Sequence, residues 1–506
     1  MRLSRLLSSL VAVRLPDGEW DEEISELVTD SAKAGGGTLF VCQRGPKQDG
    51  HTFAREAYAR GCRHFLCEYP PPVPPDAHVA YTPDCRRALA CLSGAWYGYP
   101  EKELTLIGIT GTKGKTTTAV MMYRLLRALG VAVGYIGSGG VWYADVHRES
   151  ENTTPDAPTL RAAFSDMRRR GVRVVVMEVS SQAISCDRIA ELTFPICLFT
   201  NLANDHIGEG EHPDFYHYRE AKARLFSDMG CRTMIANLDD PTAPYMMAQS
   251  QATRVLTVSC RRSDTTVYAE RIRENRRDTY FATSFLLGVQ GEDLIPVSIP
   301  LPGECNVSNA LLALCGVHEY LSEYESERDA SFRSLARSLS DITVPGRFER
   351  VQTPLPDVDF LIDYAHNGYS LRAALSALRA YSPARLCCLF GSVGQRTYSR
   401  RTELAQAACA ADFCIVTADN PGTEPPEDTM REICAVLEEN GKEFVAIPDR
   451  EQAIRYAVRH ARAGDIILLA GKGHETYQLI DRRRIPFSER DILLSEAIER
   501  TSVAVP

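Results

Sequence analysis

No two cysteines in this chain stand in a C-x-x-C pair, although it holds 16 of them in 506 residues. That absence excludes zinc ribbons, and the scattered spacing argues against a disulfide framework. Many of the thiols lie in apolar runs such as Phe413-Cys414-Ile415, which suits reduced, buried cysteines in a cytosolic protein. No apolar run approaches the about 20 residues that span a bilayer, so membrane insertion is not expected. There is no internal repeat and no low-complexity segment. Charge of one sign is also scarce: the formal net charge is -9. Such a chain has no general electrostatic drive toward nucleic acid or anionic membrane, and any anionic ligand must be held locally.

What is present is ordinary globular composition, 44% hydrophobic and 24% charged, in a length that suggests two to four domains. The first 14 residues carry Arg and Ser and no acid, like a targeting peptide. The interruption at Ser8-Ser9 and the acidic stretch from Asp17 to Glu23 favour a first amphipathic helix. Short apolar strands alternate with helical patterns throughout, which predicts an α/β fold. Three domains are expected: 1–100, 101–344 and 345–506. The second holds near-continuous apolar runs at 104–109, 172–177 and 196–199, of the kind buried on both faces of a parallel sheet. The third, after Val344-Pro345-Gly346, repeats the pattern at 360–362, 386–390, 413–417 and 466–470.

The sharpest local signal is Gly108-Ile109-Thr110-Gly111-Thr112-Lys113-Gly114-Lys115-Thr116-Thr117-Thr118, placed between an apolar strand and a helical stretch at 119–129. This is the context of a phosphate-binding P-loop. Gly111 and Gly114 let backbone N–H groups turn toward phosphate, and the helix N-terminus adds a favourable dipole. Lys115 reaches β- and γ-phosphates, and the Thr116 hydroxyl suits Mg²⁺. The first glycine of the common G-x-x-x-x-G-K-[ST] pattern would fall at Ile109, so the match is not complete.

A loop of the form G-T-x-G-K-T-T resembles the Mur ligase family, and the likeness extends over nearly the whole chain. It is strongest to the branch that adds the third residue of the peptidoglycan precursor peptide. The resemblance implies three domains: a uridine-nucleotide domain, a central P-loop ATPase domain and a C-terminal Rossmann-like domain. It further implies a cytoplasmic monomer that uses ATP and two Mg²⁺ ions. Gly111, Thr112, Gly114, Lys115, Thr116 and Thr117 would hold ATP.

Other motifs carry a plain reading beside the family one. Asn152-Thr153-Thr154-Pro155 reads as a helix cap, or by resemblance as a contact to the UDP-sugar. Glu178-Val179-Ser180-Ser181 ends a strand, where a carboxylate faces the ligand crevice of a parallel sheet and suits Mg²⁺. In the family's E-V-S-S-H the Glu holds metal and the Ser holds substrate. Here Gln182 stands in the fifth place, and Arg188 matches the family's substrate arginine. Thr200-Asn201-Leu202-Ala203-Asn204-Asp205-His206 resembles T-N-x-x-x-D-H, which makes His206 a second-site magnesium ligand. Lys222 would be a solvated helix lysine on composition alone. The family's A-K-x-x-L-F implies a lysine carbamylated by CO₂, a metal-binding anion. The loop from Asp205 to His212 is longer than the family's common form and marks a divergent branch.

Asn306 and Asn309, one helical turn apart, share a face and match the adenine contacts of G-x-x-N-x-x-N-A, or else cap a helix start. Arg347 in Gly346-Arg347-Phe348-Glu349 would reach ATP phosphates, Asp363 the ribose, and His366 the phosphates again. Arg396 survives in a glycine-rich loop where Val393 and Gln395 replace the usual residues. In the first domain Asp30-Ser31 and Asp49-Gly50-His51 match the uridine-binding marks, with Ser31 on the substrate, but Ala32 replaces the usual Arg.

The incoming amino acid is expected at Asp419, Asn420, Lys472 and Glu475. Members that add meso-diaminopimelate carry D-N-P-R, whose Arg pairs with the distal carboxylate. This chain reads Asp419-Asn420-Pro421-Gly422. L-Lysine or another amino acid is therefore expected, and diaminopimelate is disfavoured. The chemistry implied is phosphoryl transfer from ATP to the carboxylate of UDP-N-acetylmuramoyl-L-alanyl-D-glutamate, then attack of the amine on the acyl phosphate. Lys115, Glu178, His206 and carbamylated Lys222 would supply the positioning and charge neutralisation. Two alternatives remain: a paralogous amide ligase with another acceptor, and an ATP-binding partner that has lost ligation.

Overall fold

A computed structural model describes residues 1–15, 20–45, 48–204, 207–208, 211–276, 281–394, 398–481 and 483–503. The chain divides into two compact units. One comprises Met1–Val258 and Cys315–Ala330, the other Ser259–Leu314 and Ser331–Pro506.

The first unit opens with a four-stranded parallel sheet of Glu26–Val28, Thr38–Val41, His64–Cys67 and His78–Tyr81, in that order. Its two central strands, Thr38–Val41 and His64–Cys67, are buried on both faces. Leu39, Val41 and Leu66 pack with Leu3, Leu6 and Leu89 on one side, and Phe40 and Phe65 pack with Ala54 and Ala57 on the other. The expected first helix is short, Leu3–Leu7, held by its buried leucines rather than by any length of amphipathic pattern.

The rest of this unit is built on parallel strands in the order Arg254–Ser259, Thr233–Asn237, Ile196–Phe199, Thr105–Thr110, Val174–Glu178, Val133–Gly137. An antiparallel edge follows at Gly140–Tyr143 and Val146–Arg148. The chain leaves Thr105–Thr110 to one side and later returns to its other side at Ile196–Phe199. That reversal opens a crevice at the carboxyl ends of the central strands, where open α/β sheets bind ligands. Apolar β-branched runs fill these strands; Val174, Val175 and Val176 are wholly buried. The helix Lys115–Ala128 starts after a four-residue loop, 111–114, at the end of the central strand.

The second unit contains an antiparallel meander, Val267–Arg276, Phe281–Val289 and Ile295–Ile299. It also contains a six-stranded sheet in the order Glu349–Val351, Asp359–Asp363, Asp465–Ala470, Arg385–Phe390, Phe413–Val416, Phe444–Ala446, parallel except for the first. Helices Gly368–Arg379, Tyr398–Ala408 and Pro426–Glu439 cover one face. Arg450–Arg459 and Glu489–Val503 cover the other. The hairpin Tyr477–Ile480 and Arg483–Pro486 stands apart as its own two-stranded sheet. All 16 cysteines are unpaired thiols. Among the described residues no helix is long and apolar enough to cross a membrane.

Candidate active site

The phosphate loop leaves the central strand at Gly111, whose φ is 150° and where a Cβ would lie 1.9 Å from the Thr200 hydroxyl. Only glycine fits there. The sharp turn therefore falls at Gly111, and Ile109 remains in the buried strand, which accounts for the departure from the common pattern. Gly114 takes φ 84° to begin the helix. The neighbouring Thr200-Asn201 turn braces the loop. Thr200 Oγ and Asn201 Nδ2 both donate to the Lys113 carbonyl, at 2.6 and 3.1 Å, and Asn201 Oδ1 accepts the Lys113 N–H at 2.9 Å. Thr112 Oγ lies 3.0 Å from the Tyr218 hydroxyl. With Thr117 also buried, the loop is held in shape by its own protein contacts.

Two ammonium groups meet one acceptor. Lys115 Nζ and Lys222 Nζ each donate to the Gly111 carbonyl at 2.8 Å. Lys222, from the helix Phe215–Ser227, is only 1% exposed and sits 4.6 Å from the Tyr218 ring centre. The solvated lysine that composition alone suggests is thus ruled out for this position.

Glu178 ends its strand 1% exposed. Its Oε2 accepts from the Thr116 hydroxyl at 3.0 Å. Its Oε1 accepts from the Tyr135 hydroxyl at 2.7 Å and from the Ser138 N–H at 2.9 Å. A hydroxyl and a carboxylate, both hard oxygens, thus face each other beside the phosphate loop, and this donor set fits Mg²⁺.

The segment containing Asn152 and Thr153 is tied to the same strand end. Thr154 Oγ donates to the Glu178 carbonyl at 2.8 Å and accepts the Ser180 N–H at 3.0 Å. Arg188 donates to the Thr154 carbonyl at 3.1 Å, and Thr153 Oγ lies 2.9 Å from Ser138 Oγ. The Ser180 hydroxyl caps the helix Ser181–Ser185. A cavity of about 220 Å³ here brings together Lys115, Lys222, Asn152, Thr153, Ser180 and Arg188, and adds Gln182 in the place of the family's histidine. His206, with Asp205, lies outside the described residues, as does Arg396. One participant was not singled out from sequence: His212, 5% exposed, whose Nε2 is 2.9 Å from Ser181 Oγ. Its only signal was a position in a loop of unusual length.

Ser31 stands apart from this cavity, its hydroxyl donating to Glu56 at 2.9 Å. Nearby, His51 stacks on Tyr69 at 3.8 Å and its Nδ1 is 2.7 Å from Asp49. Burial works to raise the Asp49 carboxyl. Hydrogen bonds from Tyr69 and from the His51 N–H and ring outweigh it and hold the group down at about 2.

In the second unit Lys472, wholly buried, donates to Asn420 Oδ1 and Glu475 Oε2, each at 3.0 Å. Its Nζ lies 3.8 Å from the buried Asp419. Asn420, at φ 46°, also donates to Glu475 at 2.8 Å and accepts the Leu479 N–H. The four residues expected at the amino-acid site therefore form one charged cluster. Burial pushes the Asp419 carboxyl up, against the pull of Arg450 and Lys472. Gly422 has φ 62°, and a Cβ there would meet nothing within 4 Å. Asp363 is buried, which raises its carboxyl against the pull of Arg347, and it accepts the Phe348 and Ala365 N–H groups. Arg347 lies over the Tyr364 ring at 4.7 Å, and His366 Nδ1 is 2.8 Å from the Tyr364 carbonyl. Asn306 donates to the Pro302 carbonyl at 2.7 Å and accepts from Asn309 at 3.2 Å, so both amides make contacts within their own helix start.

A phosphate loop with a carboxylate at the next strand end, beside a polar cavity, defines a nucleotide-binding protein of the P-loop type. Models of the Mur ligase family match three stretches: its catalytic domain at 23–97, its middle domain at 109–317 and its glutamate ligase domain at 346–473. The chain is 36% identical over 509 residues to the UDP-N-acetylmuramoyl-L-alanyl-D-glutamate--2,6-diaminopimelate ligase of Geobacillus kaustophilus (strain HTA426), covering 99% of this chain and 100% of that one. It is 37% identical to the ligase of the same name from Chlorobaculum tepidum, covering 93% and 92%. A solved structure of a diaminopimelate ligase of that name superposes with a TM-score of 0.65 at 27% identity, over 96% of this chain and 97% of that one. The fold is shared with the MurF ligase of Thermotoga maritima in complex with ADP, at a TM-score of 0.61 and 17% identity over 94% and 98%. The chain belongs to the Mur ligase family and is an ATP-dependent amide-forming ligase.

Proposed function

We propose that this chain joins an amino acid to UDP-N-acetylmuramoyl-L-alanyl-D-glutamate in peptidoglycan precursor synthesis. The observation that carries this reading is the cavity in which the phosphate-loop Lys115 faces Asn152, Thr153, Ser180 and Arg188. A cation for the nucleotide and a polar wall that offers Arg188 to an anionic acceptor share one space, which Glu151 also lines. Lys115 draws the γ-phosphoryl toward the acceptor carboxylate, and Arg188 and Ser180 orient that acceptor. The carboxylate takes the phosphoryl group from ATP, the amine of the incoming amino acid attacks the acyl carbon, and phosphate leaves with the new amide formed. Thr116 and Glu178 would hold Mg²⁺, which would supply neutralisation of phosphate charge.

Lys222, as its carbamate, is the third metal-facing residue in this proposal. Two ammonium groups on the Gly111 carbonyl repel each other, with Lys222 buried and Lys115 half-buried. Reaction of the neutral Lys222 amine with CO₂ gives a carbamate and releases a proton. The repulsion then becomes attraction to Lys115 and to metal.

For the incoming amino acid, the cluster of Asp419, Asn420, Lys472 and Glu475 is the proposed site. The bare Gly422 supports L-lysine or another residue without a distal carboxylate. The names of the relatives support a second reading, 2,6-diaminopimelate. Competition of the two amino acids for one limiting acceptor, with products weighed by mass spectrometry, separates them. No product with either sends the reading to another amino acid, and no product with any amino acid removes it.

A further inference from the structure

The hairpin turn between Val133–Gly137 and Gly140–Tyr143 wraps around the Glu178 carboxylate. Three donors converge on Glu178, and two of them come from this hairpin. Tyr135 is wholly buried; its hydroxyl donates to Oε1 and accepts the Gly139 N–H at 3.1 Å. Its ring is clamped by Trp142, 4.4 Å away at 40°, and Trp142 is itself fixed by a bond from its indole N–H to the Gly139 carbonyl at 2.9 Å. Gly137 makes the approach possible: a Cβ there would lie 2.1 Å from Glu178 Oε1 and 2.4 Å from the Tyr135 hydroxyl.

A carboxylate with both oxygens free can rotate and chelate. Here Oε1 is occupied by two donors from a rigid turn, which leaves Oε2 directed at Thr116. We propose that Tyr135 is a positioning residue that fixes Glu178 so that only Oε2 is offered to the metal. This rests on the reading of Thr116 and Glu178 as the Mg²⁺ site. Groups that orient a metal ligand typically govern about 10–100-fold in metal affinity.

The test is Mn²⁺ binding to the full chain in the presence of ADP, followed by electron paramagnetic resonance, with the Mg²⁺ dependence of ATP turnover as a second readout. Tyr135→Phe keeps the ring and removes the donor. It should weaken Mn²⁺ about tenfold and raise the half-saturating Mg²⁺ by a similar factor, with little change in the KM for the incoming amino acid. Tyr143→Phe, on the same hairpin but with a hydroxyl that bonds Asp166 instead, leaves all three donors to Glu178 in place and should bind Mn²⁺ within about twofold of wild type. If Tyr135→Phe does not fold, Trp142→Phe takes its place; it loosens the clamp, keeps the phenol and should weaken Mn²⁺ by a smaller factor in the same direction. Unchanged Mn²⁺ affinity in the folded variant, beside a wild type that binds, overturns the role of Tyr135 alone. A wild type that binds ADP but no Mn²⁺ overturns the metal reading and this inference together.

Discussion

Replacing Glu178 tests the hydrogen bonding and the chemistry at once, because two substitutions separate them. In Glu178→Gln the amide oxygen can stay at Oε1 and keep the Tyr135 and Ser138 donors. The amide NH₂ then faces the Thr116 hydroxyl, which rotates to accept. Every hydrogen bond is retained in kind, so the stability change should stay within about 1 kcal/mol. In Glu178→Ala the buried Tyr135 and Thr116 hydroxyls lose this acceptor, as does the half-buried Ser138 N–H. At about 1–3 kcal/mol for each of the two buried hydroxyls, the loss is at least about 2–6 kcal/mol. Chemistry ranks the variants differently: both lack the anionic oxygen and should lose at least about 100-fold in ATP-dependent ligation. Urea unfolding monitored by circular dichroism gives the first quantity, and phosphate release gives the second. A glutamine variant with more than a tenth of wild-type turnover refutes the metal role. An alanine variant as stable as the glutamine one refutes the hydrogen-bond account.

Three further outcomes are expected. Gly422→Arg should fold, since space is open there, at a cost of about 1–2 kcal/mol for a left-handed side-chain residue, and should raise the preference for diaminopimelate over lysine about tenfold; competition assays read the ratio. Lys222 in protein kept under CO₂ should carry the extra mass of one CO₂ by gentle native mass spectrometry. Activity should fall on degassing and return with bicarbonate; full activity in CO₂-free buffer would contradict this. The Asp49 carboxyl, held at about 2 from an ordinary 3.8, contributes stability that is fully present above about pH 4 and lost as pH falls through 2. Asp49→Asn should therefore speed hydrogen exchange at the His51 amide most above pH 4, with the difference from wild type shrinking toward pH 2.

The parts of the site that sequence revealed are those whose chemistry sits in contiguous residues. The phosphate loop and Glu178 each lie at the end of an apolar strand, the parallel sheet delivers those strand ends to one edge, and Asn152-Thr153-Thr154 is a contiguous polar run tied to the same edge by the Thr154 hydroxyl. Tyr135 and His212 were not legible. Each acts through a partner 43 and 31 residues distant in sequence, and only the fold makes those meetings. Tyr135 in an apolar strand reads as a core aromatic, which it also is. Asn201 looked like part of a metal motif, and its side chain braces the phosphate loop. The antiparallel strands between 267 and 299 were passed over because their alternation of buried and exposed residues is broken by charged positions such as Glu270, Arg271 and Arg273.

The most direct measurement is phosphate release from ATP by the full chain with UDP-N-acetylmuramoyl-L-alanyl-D-glutamate, each amino acid supplied singly, and Lys115→Ala as control. The account predicts release that requires both the acceptor and one particular amino acid, a product of the matching tripeptide mass, and none from the variant. Folded protein that binds ATP and yet releases no phosphate with any amino acid would contradict it.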